Sequence, residues 1–154
     1  MALGLATFVP ANPALAATFA STDAATITIT GKIDLGDEQK FIAALRYAPN
    51  FRKLVVNSPG GSIKAAYLIG KGLRTGSYEV QVADNGECVS ACTLLFAAAA
   101  ERSAYSSSRI AVHSASTFEP DGTRRPETLD DLTATAIFAR YMKDWGPRRS
   151  SSGR

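Results

Sequence analysis

The alternation of apolar and polar residues predicts several short strands along the chain. Between Ala24 and Ile33, the apolar Ile27 and Ile29 alternate with threonines, which is typical of a strand with one buried face. Lys53 to Asn57 contains a continuous run of leucine and two valines, which predicts a strand buried on both faces, as in parallel sheets. Three further strands are predicted over Glu79 to Ala83, Ala104 to Ser106 and Ile110 to Val112.

Apolar residues at helical spacing predict four helices between and after these strands. Ser62 suits the N-cap of the second helix, and Gly146-Pro147 ends the last one. The predicted helices span Asp37 to Tyr47, Ile63 to Leu73, Cys88 to Ala100 and Leu129 to Trp145.

This order of strands and helices predicts an α/β fold with a mainly parallel sheet and right-handed crossover helices. Ligands of such sheets bind at the carboxyl ends of the strands. Three sequence features follow predicted strands and are therefore expected at that edge: the Gly60-Gly61 turn, the turn at Gly86, and His113.

The length of 154 residues fits one domain. The net charge is +3, with its excess in the arginines of residues 147–154, which are predicted to form a disordered basic tail. No basic stripe is interleaved with aromatic residues, so the composition argues against nucleic-acid binding.

Residues 1–20 carry no charge and are rich in alanine and leucine. Ala14-Leu15-Ala16-Ala17 resembles a small-residue cleavage site, so this segment is predicted to be a secretory signal peptide whose basic start is weak or missing. Pro10 and Pro13 interrupt it, and no membrane span is expected after its removal. The expected location is the periplasm or the extracellular space; the alternative is an apolar N-terminus on a cytosolic protein.

Ser90 is predicted in the first turn of the helix that begins at Cys88. Backbone N–H groups there lack intrahelical partners, so a serine hydroxyl beside them makes half of an acyl-transfer site. The single histidine, His113, is a candidate base, and the Gly60-Gly61 turn is a candidate second oxyanion donor. Each has a plainer alternative: a helix cap, a structural histidine and an ordinary strand–helix turn.

Taken together, three segments resemble the ClpP/crotonase superfamily, and specifically the ClpP-type serine peptidases and their exported relatives. Residues 57–62, Asn-Ser-Pro-Gly-Gly-Ser, resemble the strand-end diglycine motif. Ser90, four residues after Gly86, matches the position of the nucleophile, and Ser108-Arg109 ahead of His113 matches the segment of the base. The resemblance covers about Ile27 to Tyr141 and places the ClpP-like domain at residues 24–146.

The resemblance implies a serine hydrolase that acts on peptides or proteins without a cofactor. Ser90 would be the nucleophile and His113 the base, and the backbone N–H groups of Gly61 and Ala91 would bind the oxyanion. The family also implies homo-oligomers, as rings or stacked trimers.

This chain departs from the family pattern in its third catalytic member. The family aspartate follows the long C-terminal helix, where this chain ends in residues 148–154. Asp144 is the nearest candidate by position, and Asp130 or Asp131 are alternatives, so the third member is unassigned. This departure leaves a non-catalytic binding or scaffold protein as the alternative function. A crotonase-type acyl-thioester enzyme fits less well, because that chemistry does not use a Ser-His pair.

Cys88 and Cys92 flank the candidate nucleophile. Four residues apart, they would share one face of a helical turn. The resemblance to exported ClpP-like proteins implies that they form a disulfide. The alternatives are two buried free thiols or a metal site, and a single histidine argues against zinc.

Overall fold

A computed structural model of the chain describes residues 15–114, 123, 125 and 128–146. Most of the predicted signal peptide (residues 1–14) and the predicted basic tail (residues 147–154) lie outside the described residues. Seven strands and four helices are found within them. The strands are β1 (Thr18–Ser21), β2 (Thr26–Thr30), β3 (Lys53–Asn57), β4 (Glu79–Val82), β5 (Glu87–Val89), β6 (Glu101–Ala104) and β7 (Arg109–Ala111). The helices are α1 (Asp37–Leu45), α2 (Ile63–Leu73), α3 (Cys92–Ala98) and α4 (Leu129–Trp145).

The main sheet has five strands in the order β1-β2-β3-β4-β6. Strands β2, β3, β4 and β6 pair in parallel, and β1 pairs antiparallel with β2 at one edge. A second, two-stranded sheet is formed by β5 and β7 in parallel. The prediction of a mainly parallel α/β sheet with crossover helices is confirmed.

The core lies on one face of the main sheet. Because the parallel strands follow one another in space as in sequence, right-handed crossovers put their connecting helices on the same side. The inward residues of β2, β3 and β4 are fully buried there, whereas those that alternate with them are half-buried or exposed. The prediction that β3 is buried on both faces is therefore wrong for the described structure, because Lys53, Val55 and Asn57, which alternate with its buried residues, are only half-buried.

The N-terminal edge was not predicted as a strand. Residues 18–20, within the predicted signal peptide, belong to β1 and pair with β2. Just before them, Ala17 N–H donates to the Lys32 carbonyl at 2.8 Å, and Lys32 N–H donates to the Leu15 carbonyl at 2.8 Å. Leu15 to Ala17, the described part of the segment that resembles a cleavage site, are thus hydrogen-bonded to Lys32, two residues after β2.

The predicted helix from Cys88 to Ala100 is wrong at its start. Cys88 lies in strand β5, and helix α3 begins only at Cys92. The three-residue strand forms because it pairs with β7 on one side and with Ser58 on the other, contacts that are distant in sequence. The short strands expected at Ala104 to Ser106 and Ile110 to Val112 occur earlier, at β6 and β7.

Helix α4 packs against α2 through aromatic side chains. The rings of Tyr67 and Trp145 stack at a centroid distance of 5.0 Å, and Tyr141 stacks on Tyr67 at 4.1 Å. Gly70 of α2 makes this approach possible, because a Cβ there would lie 2.6 Å from the Trp145 ring. None of the helices in the described part of the chain has the length and apolar character needed to cross a bilayer.

Candidate active site

The diglycine turn follows β3 and takes a conformation that requires glycine. Gly60 has φ +95° and Gly61 has φ +131°, in the region that favours glycine. The Gly60 carbonyl accepts from Ile33 N–H at 2.8 Å, and Ser62 N–H donates to the Ile33 carbonyl at 2.7 Å. Ser62 also caps helix α2 by accepting from Ala65 N–H at 3.2 Å.

Ser90 lies in the turn between β5 and α3, with the left-handed φ of +53°. It was predicted in the first turn of a helix. The difference arises because Cys88 belongs to a strand, so the change from strand to helix falls on Ser90 and Ala91. Ser90 N–H donates to the Ala111 carbonyl at 2.9 Å, and its own carbonyl accepts from the Thr93 N–H and hydroxyl at 2.9 and 2.6 Å.

Cys88 and Cys92 bracket this turn covalently. Their sulfur atoms are 2.06 Å apart and their Cα atoms 5.2 Å apart, and both residues are fully buried. The structure thus contains the expected disulfide-distance pair. It joins the middle residue of strand β5 to the first residue of helix α3 rather than two residues of one helical turn.

The diglycine turn and the Ser90 turn are in direct contact. A Cβ added to Gly60 would lie 2.4 Å from the Val89 carbonyl oxygen, 2.8 Å from Ser90 Cβ and 2.9 Å from Ala91 N. Only a glycine can approach this closely, because those separations are shorter than real Cβ contacts. The structure therefore brings together two of the three segments singled out in the sequence.

Two backbone donors at this junction have no partner among the described residues: the N–H groups of Gly61 and Ala91. Unpaired N–H groups are uncommon in folded proteins. Gly61 is exposed, whereas Ala91 is buried, so Gly61 is the donor most open to a ligand. The half-buried Ser90 hydroxyl likewise makes no hydrogen bond within the described residues.

His113 follows two residues after β7, whose last residue, Ala111, is bonded to Ser90. The imidazole is exposed, and its Nδ1 lies 2.6 Å from the Ser114 carbonyl oxygen. A carbonyl only accepts, so Nδ1 carries the proton in this contact and Nε2 of the neutral ring is left as an acceptor. Within residues 15–114, no hydrogen bond joins the ring to the Ser90 hydroxyl.

None of the three candidate aspartates makes a described contact with His113. Asp144 pairs with Arg140 at 3.8 Å on the exposed side of α4. Asp131 is buried and forms a capping box with Thr128, which gives it a structural role at the start of α4. Asp130 is exposed in the same turn. The described part of the chain also has no cluster of three or more His, Cys, Asp or Glu side chains that could hold a metal ion.

Two residues of the 57–62 motif matter here to which the sequence analysis gave no role of their own. Asn57 accepts from Glu87 N–H at 3.0 Å and thereby fixes the start of β5. Ser58 is fully buried and bonds both to β5 and to Gly60. Their position directly before the Pro-Gly-Gly turn was the available signal, but their partners follow from pairing between distant segments.

The described structure resembles solved proteases. It matches the ClpP protease catalytic domain from Plasmodium falciparum with a TM-score of 0.53 and 21% identity, over 74% of this chain and 62% of that one. It matches the 1510-N membrane-bound stomatin-specific protease, a mutant form solved in complex with a substrate peptide, with a TM-score of 0.59 and 16% identity, over 79% and 57% of the two chains. At these identities the likeness concerns the fold.

A putative enoyl-CoA hydratase from Streptomyces coelicolor A3(2) also matches, with a TM-score of 0.41 and 16% identity over 71% of this chain and 52% of that one. The chain spans less than two thirds of the length of each of the two proteases described above, 62% of the first and 57% of the second. No curated protein matches it in sequence.

At the level of the family, the comparison covers most of the chain. The sequence matches the Clp protease family over residues 17–128, a stretch that includes the diglycine turn, Ser90 and His113. On this match, the chain belongs to the Clp protease family.

Proposed function

We propose that the chain is a serine hydrolase of peptide bonds, with Ser90 as nucleophile and His113 as base. The observation that carries the proposal is the pair of unpartnered N–H groups, Gly61 and Ala91, beside a serine hydroxyl that is itself unbonded among the described residues. Donors held free at fixed positions are what a developing oxyanion requires.

In the proposed reaction, Ser90 Oγ attacks the carbonyl carbon of the scissile bond while His113 Nε2 accepts the hydroxyl proton. The carbonyl oxygen becomes an oxyanion and accepts from Gly61 and Ala91. Collapse of this intermediate breaks the C–N bond, and His113 returns the proton to the leaving amine. Water then attacks the acyl-serine by the same route and regenerates the free enzyme.

The Ser114 carbonyl supports this role of His113. By accepting from Nδ1–H it favours the tautomer whose Nε2 can receive a proton, which is part of what an aspartate does in a triad. A carbonyl carries no full charge and stabilises the imidazolium less than a carboxylate does. Replacing the aspartate of a triad with its amide costs on the order of 10,000-fold in kcat, so we expect slow turnover unless a carboxylate such as Asp144 reaches the ring.

The relatives support a peptide as the substrate class. One is named as a ClpP protease catalytic domain, and the other was solved with a substrate peptide. We further propose that the chain is exported to the periplasm or outside the cell, where the Cys88–Cys92 link would persist. Homo-oligomerisation is proposed by analogy with the family alone.

The proposal is tested by labelling the purified, oxidised chain with a fluorophosphonate probe and locating the adduct by mass spectrometry. We expect a single adduct at Ser90, absent in Ser90→Ala and slowed by at least about 100-fold in His113→Ala, because the general base contributes about 100- to 10,000-fold. Asp144→Asn tests the candidate for the third catalytic member. Its labelling rate should fall as far as that of His113→Ala only if Asp144 acts on the ring. Labelling elsewhere, or equally fast in His113→Ala, would contradict the assignment.

A second candidate function is a non-catalytic binding protein that keeps the fold. It is favoured by the lack of a described hydrogen bond between Ser90 and His113 and of a described carboxylate at His113. Catalytic hydrogen bonds are often long in unliganded active sites and tighten when substrate binds, so turnover is the property that separates the two functions. Serine-dependent hydrolysis of an ester or a casein peptide by the wild type, lost in Ser90→Ala, would exclude the binding protein; no turnover together with no labelling would favour it.

A further inference from the structure

Ser58 is a fully buried polar residue to which the proposed reaction assigns no role. It lies between the end of β3 and the diglycine turn. Its N–H donates to the Glu87 carbonyl at 2.6 Å, and its carbonyl accepts from Val89 N–H at 3.0 Å, so its backbone joins the strand that leads to Ser90. A buried hydroxyl costs free energy unless it is hydrogen-bonded, so its bonding partner is informative.

The partner of the Ser58 side chain is the diglycine turn. Ser58 Oγ accepts from Gly60 N–H at 3.1 Å, and on the other side of Gly60 its carbonyl accepts from Ile33 N–H. The two peptide planes that flank Gly60 are therefore each held by one hydrogen bond. Because glycine itself restrains its dihedral angles weakly, these two bonds set the direction of the next donor, Gly61 N–H.

Among residues 58–62, which form the turn, only one N–H has no hydrogen-bond partner in the described structure. Pro59 has no N–H, those of Ser58, Gly60 and Ser62 are bonded, and that of Gly61 is not. Without the Ser58 hydroxyl, Gly60 N–H would be buried and unpaired, which costs about 1–3 kcal/mol. The turn would relieve that cost by moving, and Gly61 N–H would move with it.

We propose that Ser58 is a positioning residue that aims the oxyanion donor Gly61 through the Gly60 amide. The inference rests on the proposed function of the Ser90 site. Small displacements of an aligned group are costly in catalysis: about 1 Å can lower the rate about 100-fold. Ser58 thus acts on the transition state through Gly61 and not by touching substrate.

The kinetic test compares Ser58→Ala with Ser62→Ala in hydrolysis of an activated ester. Ser62 is a matched control, since its hydroxyl also accepts one backbone N–H in the same segment but serves the cap of α2. We expect Ser58→Ala to lower kcat by roughly 10- to 100-fold with KM within about twofold, and Ser62→Ala to leave kcat within about twofold at a comparable loss of stability. An equal kcat in both variants would overturn the inference. If Ser58→Ala does not fold, Ser58→Cys, whose thiol fills the site but accepts weakly, takes its place with a smaller expected fall in kcat.

Amide hydrogen exchange separates this inference from the proposed function. If the wild type shows no turnover, the hydrolase proposal fails, and exchange at Gly60 still tests Ser58. Gly60 should exchange at least about tenfold faster in Ser58→Ala than in Ser62→Ala, after correction for global stability, because only the first variant removes its acceptor. Equal protection of Gly60 in both variants would show that the hydroxyl does not hold the turn.

Discussion

Breaking the link between Cys88 and Cys92 is expected to lower both the free energy of unfolding and the reactivity of Ser90. The two cysteines are separated by four positions, so the link closes a loop of about five residues. In the chain-entropy model, a loop of that size contributes about 7 cal/mol/K, or about 2 kcal/mol at 25 °C. Most of this effect acts on the unfolded chain.

The same link encloses a strained residue. Ser90 has φ +53°, a conformation that costs a non-glycine residue roughly 1–2 kcal/mol. The bonds from Ser90 to Ala111 and Thr93 still restrain it when the link is broken, but they are individually weaker. If the turn relaxes by about 1.4 kcal/mol, the rate of a reaction at Ser90 falls about tenfold.

The assay is urea unfolding together with fluorophosphonate labelling of three samples: oxidised wild type, wild type in a phosphine reductant, and Cys88→Ala/Cys92→Ala. Reduced wild type keeps both sulfur atoms, so it isolates the link from the packing that the double variant also loses. We expect reduction to remove about 2 kcal/mol of stability and to slow labelling about tenfold. Unchanged stability and unchanged labelling on full reduction, verified by thiol alkylation, would refute the reasoning.

Three further predictions concern the turn, helix α4 and the strand edge. Gly60→Ala should lower the free energy of unfolding by at least about 2 kcal/mol and abolish labelling of Ser90, because the new methyl group would overlap Val89 and Ser90. Gly36 has a similar φ of +96° but nothing within 4 Å of an added Cβ, so Gly36→Ala should cost only about 1 kcal/mol, and equal losses in the two variants would contradict the close contact at Gly60. Tyr67→Ala should red-shift the emission of Trp145, the single tryptophan, because it uncovers the stacked ring, and an unshifted spectrum would mean that α4 does not dock there. The hydrogen bond from Ser103, with Lys53 nearby, holds the pKa of Glu79 below its ordinary value. The ionised Glu79 carboxylate therefore stabilises the folded chain above its unfolded-state pKa, and this contribution is lost as the pH falls through its folded-state pKa. Wild type should therefore lose more unfolding free energy on acidification than Ser103→Ala, and parallel pH profiles would show that the bond does not matter.

Local sequence patterns predicted the elements whose residues decide their own conformation. Strand β3 and helices α2 and α4 have the bounds that the apolar pattern predicts, with Ser62 as the N-cap of α2 and Gly146 at the end of α4. The two helices are long and strongly periodic, and β3 is a short apolar run between polar residues, so local sequence is enough to indicate each element. Of the three segments that carry the family resemblance, the diglycine turn and the Ser90 turn are in direct contact in the structure.

The rest depended on pairing between distant segments. Strand β5 has three residues, and its extended form follows from hydrogen bonds to β7 and Ser58 that no local pattern reveals. Ser90 was placed in a helix for the same reason, and its left-handed conformation follows from the strand before it and the helix after it. The role of Ser58 could not be read from its sequence position because its burial was unknown.

The central claim is that Ser90, His113 and two bare backbone amides act on one carbonyl. The most direct test is a crystal structure of the fluorophosphonate adduct. The account predicts phosphorus bonded to Ser90 Oγ, with the phosphonyl oxygen about 2.7–3.1 Å from the N–H groups of Gly61 and Ala91 and His113 Nε2 facing Ser90. A phosphonyl oxygen directed into solvent, with both amides unoccupied and the imidazole turned away, would contradict it.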